Sequence, residues 1–315
     1  IINYNTKEYI MNKLTKVGLT ALASTLIVSS ANAADWSIAG GASISYTNIS
    51  NTSGANAFSF GDSLTFSASG DLDNGMAIST SMELDGNSMD DRKIALSSDE
   101  MGTISITSSL TAGGIGRIGD KVPNAAEEVY DITDSTDYGL ASQNISSTNQ
   151  LGWVSPAYNG LTVSVGYTAL DAAADSSWTL EYDASSLMDG LAVGYGQAEN
   201  GSTSEAETLY VTYAVGGLSI GYQDTTYDVS AASGSDEDAT HIGASFAVND
   251  DLSISVGRQD VSIGTNASDE ENQGVSASYT MGSMSFTAFA NKASNVGGSA
   301  GTDTEAKGVT VSFSF

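Results

Sequence analysis

Few residues in this chain could do covalent chemistry. Its 315 residues include no cysteine and one histidine, His241. Without cysteine there is no disulfide framework, thiolate metal site or sulfur nucleophile. A Ser-His hydrolase needs its histidine within hydrogen-bond reach of the nucleophile. No supporting constellation surrounds His241, which falls at a loop–strand junction and reads as a solvated rim residue. Gly114-Ile115-Gly116-Arg117-Ile118-Gly119 matches GxGxxG. A dinucleotide site would also need a following helix and a parallel βαβ unit, and neither is signalled here. Asp236-Glu237-Asp238 and Asp269-Glu270-Glu271 could hold calcium through carboxylate oxygens. Acidic loop clusters are usually just solvated, so no cofactor and no other metal site is expected.

What remains is charge, and it is strongly one-sided. The formal net charge is −28. That argues against a nucleic-acid partner, which would require a basic footprint. The hydrophobic content of 40% argues against a disordered acidic chain.

The N-terminus accounts for three of the ten bases. Met11 to Lys16 is a basic stretch, Val17 to Val28 is a short apolar run, and Ala31-Asn32-Ala33 has the small-x-small form of a cleavage site. Together they predict a secretory signal peptide cut after Ala33, with residues 1–10 upstream of the initiating Met11. The domain expected to fold is 34–315, with seven bases, thirty-seven acids and a net charge of −30.

No run in that domain approaches the roughly 18 consecutive apolar residues of a membrane helix. Its periodicity is two. Trp36, Ile38, Gly40, Ala42, Ile44 and Tyr46 alternate with small or polar residues. The same alternation recurs, in Leu64–Ala68, Met76–Leu84, Leu161–Tyr167, Leu209–Val215 and onward to Val309–Phe315, giving sixteen predicted strands. Short connectors such as Asp73-Asn74-Gly75, Gly216-Gly217 and Gly282-Ser283 suit tight hairpins. Longer acidic, Ser- and Gly-rich connectors alternate with them. The pattern predicts an up-and-down antiparallel meander with seven turns at one end and eight loops at the other.

Each strand turns aliphatic and aromatic residues one way and Ser, Thr, Gly or acids the other. That polar face is too uniformly small and hydrophilic to be a sandwich core. An inverted barrel, apolar outside and wet inside, suits a lipid solvent, and closure removes every unpaired edge. Ten residues separate Trp36 from Tyr46 on one face, which at ~3.3 Å rise and ~40° tilt spans roughly 25 Å. The fold expected is therefore all-β, a 16-stranded transmembrane β-barrel.

At this point the chain resembles the general diffusion porins of Gram-negative outer membranes, most closely the alphaproteobacterial type. The likeness rests on the signal peptide, the sixteen strands, a longest loop after the fifth strand, the absence of cysteine and the terminal phenylalanine. The stretch Thr148 to Val163, with Ser155-Pro156 at its turn, looks like the family's strand–turn–strand after that loop. The resemblance implies an inward-folded third loop that narrows the barrel, here 111–147, carrying Arg117, Lys121, Glu127, Glu128, Asp131, Asp134 and Asp137. It implies further that Val309, Val311, Phe313 and Phe315 form the C-terminal signal read by the outer-membrane assembly machinery. The partners it implies are the lipid bilayer, lipopolysaccharide, two further copies in a homotrimer, and small hydrophilic solutes.

In that family, loop acids face bases on the opposite wall, and here the pattern departs. Lys93 is the main base at inward parity, against inward Glu83, Glu181 and Asp183. Arg92, Arg258, Lys292 and Lys307 share outward parity near the rim. A net −30 around a water-filled tube should enrich cations. The expected function is a non-enzymatic pore for passive diffusion, weakly cation-preferring. The alternatives are a closed structural or adhesive barrel and a substrate-specific channel.

Overall fold

A computed structural model describes residues 35–50, 57–131, 149–169, 174–201, 204–229 and 236–315. Ala31 and Ala33 of the expected cleavage site, and Asp134 and Asp137 of the third loop, lie outside the described residues.

Sixteen strands form one closed antiparallel barrel. They are β1 (Asp35–Ile49), β2 (Ala57–Asp71), β3 (Ala77–Asp85), β4 (Ser88–Ser98), β5 (Gly102–Ser108), β6 (Gln150–Val154), β7 (Leu161–Thr168) and β8 (Asp175–Asp183). The second half comprises β9 (Leu191–Asn200), β10 (Ser204–Val215), β11 (Leu218–Val229), β12 (Glu237–Ala247), β13 (Leu252–Ile263), β14 (Glu270–Met281), β15 (Met284–Ser294) and β16 (Thr304–Ser314). Every strand pairs with its neighbours in sequence, and β16 returns to β1 in the register Gly41↔Ser314 and Tyr46↔Val309. Closure leaves no strand edge to face a bilayer, where an unmet backbone polar group would cost several kcal/mol.

The two faces follow the sequence period. On β8, Ser177 and Thr179 are buried at 6% and 0% exposure, whereas Trp178 and Leu180 between them are 36% and 39% exposed. Large apolar side chains thus cover the outside and hydroxyls the inside, the reverse of a water-soluble core. The strands continue past the apolar segments seen in sequence. β1 and β2 are each 15 residues long. β4 begins at Ser88, straight after the two-residue Gly86–Asn87 turn. The β3–β4 register then shifts between Ser81 and Glu83, a bulge whose extra residue hides the alternation from a period count.

Acidic triplets that read as loops belong largely to strands. Glu237 is buried while Asp238 faces outward, and Glu270 is buried while Glu271 pairs outward with Arg258 at 3.3 Å. Strand alternation therefore keeps either triplet from turning its three carboxylates to one point.

Candidate pore constriction

Residues 109–131, following β5, run along the inner wall from β6 to β15. Their backbone is held by inward-facing polar side chains of successive strands. The N–H groups of Ala112 and Gly113 donate to Gln150 Oε1 at 2.6 and 3.2 Å. Gly114 N–H donates to Ser164 Oγ at 2.8 Å and Ile115 N–H to Ser177 Oγ at 3.2 Å. Lys121 N–H donates to Gln223 Oε1 at 2.8 Å, and Gln223 Nε2 donates back to Ile118 O at 2.8 Å. Ala125 N–H reaches Ser255 Oγ at 3.0 Å, and Asn291 Nδ2 donates to Glu128 O at 2.6 Å. These bonds satisfy a segment that lies inside the barrel and has no strand partner of its own.

The segment lies close to the wall because the wall is thinned beneath it. A methyl at Gly152 on β6 would strike the Ala112 carbonyl, and one at Gly221 on β11 would strike the ring of Pro123. The sequence that matched GxGxxG is a short 3-10 helix, Gly114–Ile118. Ile115 and Ile118 are 0% exposed there and pack with Ala198, Ala206 and Tyr210. They form an apolar anchor inside an otherwise wet tube.

That anchor places two bases. Arg117 Nε lies 2.8 Å from Glu181 Oε1, and Lys121 Nζ lies 3.4 Å from Glu181 Oε2. The Lys121 ammonium also stands 5.6 Å from the centre of the Tyr210 ring. Here the loop supplies the cations and the wall the carboxylate. Further along, Glu127, Glu128 and Asp131 bring carboxylate oxygens within 4.8 Å of one another. Burial is the main cause that raises the carboxyls of Glu127 and Glu128 above the ordinary glutamate value of 4.5. Like charge adds to it through Glu128 for Glu127, and through Asp120 and Asp131 for Glu128. A hydrogen bond with Asp131 opposes the shift at Glu127.

His241 is not a solvated rim residue. It faces inward from β12 at 7% exposure, with its ring edge-on to Tyr130 at 5.6 Å between centroids. Tyr130 in turn donates from its hydroxyl to Asp120 Oδ2 at 2.8 Å. Sequence position put His241 near a strand end, but β12 begins four residues earlier, at Glu237, and Tyr130 of the third loop packs against the His241 ring inside the barrel. Burial raises the Tyr130 phenol far above its usual range, so it stays a donor to Asp120.

The remaining expected wall residues spread apart. Glu83 sits at the β3–β4 bulge and shares a hydrogen bond with Asp91. Lys93 stands opposite Ser81 and lines a niche of about 200 Å³ with Asp35, Ser37, Ser67 and Ser79. Asp183 is exposed at the end of β8, where Oδ1 accepts the Ser185 N–H at 3.0 Å, so it belongs to a turn and not to the narrowing. Arg258, Lys292 and Lys307 face outward and pair with Asp260, Asp303 and Glu305 at 2.6, 3.3 and 3.2 Å. Arg92, also exposed, reaches Ser108 Oγ at 3.4 Å. Val309, Phe313 and Phe315 are 46%, 45% and 56% exposed on the outer face, with Val311 half-buried between them.

Sequence reasoning missed the seat itself, made by Gln150, Ser164, Ser177, Gln223, Ser255 and Asn291. A signal existed for part of it. Gln150 and Gln223 are long amides on strands whose neighbouring inward residues are small, Gly152 on β6 and Gly221 and Thr225 on β11.

Residues 18–315 match the family model described as Gram-negative porin. No curated protein matches the chain in sequence. In fold it is similar to in-vitro-folded OmpT, an outer membrane protein of Vibrio cholerae, with TM-score 0.68 and 14% identity over 93% of this chain and 100% of that one. An anion-selective porin from Comamonas acidovorans gives TM-score 0.65 and 15% identity over 90% of this chain and 100% of that one. A porin refined at 1.8 Å gives 0.67 and 14% over 89% and 100%. At such identities the likeness concerns the fold alone.

Proposed function

The chain belongs to the Gram-negative porin family, and from that premise we propose that it forms a water-filled channel for passive diffusion of small hydrophilic solutes and ions, with a weak preference for cations. It is an outer-membrane β-barrel channel of the bacterial envelope. The finer reading concerns what passes and why.

The carrying observation is where the bases go. The mature chain has seven: Arg92, Lys93, Arg117, Lys121, Arg258, Lys292 and Lys307. Four face outward at the rim. Of the three inside, two share one carboxylate, Glu181. Glu127, Glu128 and Asp131 on the loop, with Glu83 on the wall, outweigh Lys93. The Debye length is ~8 Å at physiological salt, so charges lining a narrow passage act on a permeating ion with little screening. An acidic lining concentrates cations and repels anions. Transport needs no catalysis, since the gradient supplies the driving force.

On the same reading residues 1–33 are removed at export, and Val309 to Phe315 serves the assembly machinery as the terminal signal. The mature barrel stands in the membrane as a homotrimer among lipopolysaccharide. The test is single-channel conductance of the refolded mature chain in a planar bilayer, with reversal potential under a salt gradient. Open steps in triplets with a cation-side reversal potential support the proposal. A chloride-side potential removes the cation preference. A folded barrel that never conducts points to the structural or adhesive alternative.

A further inference from the structure

Glu181 is 15% exposed on the inner wall of β8, and both bases that the third loop carries into the lumen converge on it, Arg117 at 2.8 Å and Lys121 at 3.4 Å. The loop does not need this carboxylate to stay where it is. Its backbone is anchored independently by the buried Ile115 and Ile118 and by Gln223, which bonds Lys121 N–H, Ile118 O and Gly119 O. Arg117 and Lys121 are therefore held inside the barrel by the backbone, and Glu181 decides what their charges face. Their side chains are 33% and 30% exposed, so without that carboxylate both would present to the passage.

Building on the channel reading above, we propose that Glu181 is the residue that fixes the sign of the ion preference, by occupying two cations that would otherwise make the narrowing an anion site. One carboxylate oxygen meets each base, so a single side chain neutralises one of the two charges and tethers both bases to the wall. With Glu181 in place the carboxylates of Glu127, Glu128 and Asp131 set the sign of the charge along the loop. Without it, a guanidinium and an ammonium set four residues apart on the same loop become a ready partner for chloride, carboxylate or phosphate oxygens.

The test measures reversal potentials in a potassium chloride gradient for the folded full mature channel. Glu181→Gln and Glu83→Gln each delete one lumenal negative charge, but only the first uncovers bases. Each variant makes the fixed charge one unit more positive, but only Glu181→Gln also frees the Arg117 and Lys121 side chains to turn into the passage, so it is expected to move the reversal potential toward chloride by at least about twice the shift of Glu83→Gln. In an Arg117→Gln/Lys121→Gln background the added Glu181→Gln change should shrink to the Glu83→Gln size. Equal shifts from the two single variants would overturn the inference while leaving the channel reading intact. A wild type that does not conduct would instead strike at that reading. Should Glu181→Gln fail to fold, Arg117→Gln/Lys121→Gln alone decides. Removing already occupied bases should leave Glu181 free and strengthen the cation preference, and an unchanged potential would refute the proposal.

Discussion

Phe315 closes the barrel onto Gly40. Gly40 N–H donates to Phe315 O at 2.7 Å, and Phe315 N–H donates to Gly40 O at 2.9 Å. A methyl added at Gly40 would stand 2.7 Å from Phe315 Cε2 and 2.8 Å from Leu64 Cδ2. Phe315, one residue past β16, thus both pairs its backbone with β1 and caps a gap kept open by a glycine. Gly40→Val should overpack this corner and destabilise the folded barrel by roughly 1–3 kcal/mol. Deleting Phe315 loses both hydrogen bonds, each worth about 1 kcal/mol net. Urea unfolding in lipid, followed by tryptophan fluorescence, checks both. Wild-type stability in either variant would show that the terminus is not part of the closure.

Gly152 should control how closely the third loop lies against the wall. A Cβ there meets backbone atoms of Ala112, which cannot swing aside as a side-chain tip would. Gly152→Val is expected to lift the start of the segment, disturb the bonds from Ala112 and Gly113 to Gln150, and change single-channel conductance in a barrel that still folds. Retained gel mobility of the unheated protein would report the fold. Identical conductance from a folded variant would mean the segment does not limit the passage.

The pH response follows from Glu127 and Glu128. Their folded carboxyls titrate above the ordinary value of 4.5, chiefly through burial. The folded state therefore binds protons more readily than the unfolded one. Stability of the seated loop is greatest below 4.5 and declines as pH rises through the raised values. Cation preference moves the other way, because it needs the ionised forms. Reversal potentials should become more cation-selective as pH climbs through a range above 4.5. Glu127→Gln/Glu128→Gln should flatten that titration. A midpoint at or below the ordinary carboxylate value would contradict the placement of these groups.

Tyr130 should steady the far end of the same segment. Its hydroxyl serves Asp120 and its ring meets His241. Tyr130→Phe keeps the ring and removes the donor, leaving a part-buried carboxylate short of a partner at a cost of roughly 1–3 kcal/mol. The expected reading is a noisier open state in single-channel records, with unitary conductance little changed. Records as quiet as wild type would assign Tyr130 a packing role only.

The sequence by itself determined the wall. Strand number, the outward face of Trp178 and Leu180, the tight turn at Gly216-Gly217 and the apolar terminus at Phe315 are all local signals. Lipid outside and water inside impose a period of two on every strand, whatever its neighbours do. Where an extra residue broke that period, at the β3–β4 bulge, the strand limits were lost to sequence reading. The constriction was decided only by the tertiary structure. Arg117 meets Glu181 across 64 residues of chain, Lys121 meets Gln223 across 102, and Asn291 reaches Glu128 across 163. Parity says which side of a strand a residue faces. It does not say at what height a loop crosses the strands from β6 to β15, because that height depends on the stagger between strands and on closure. For the same reason His241 read as a rim residue: its burial comes from Tyr130, which lies 111 positions earlier in the chain and is brought to it only by the folded loop.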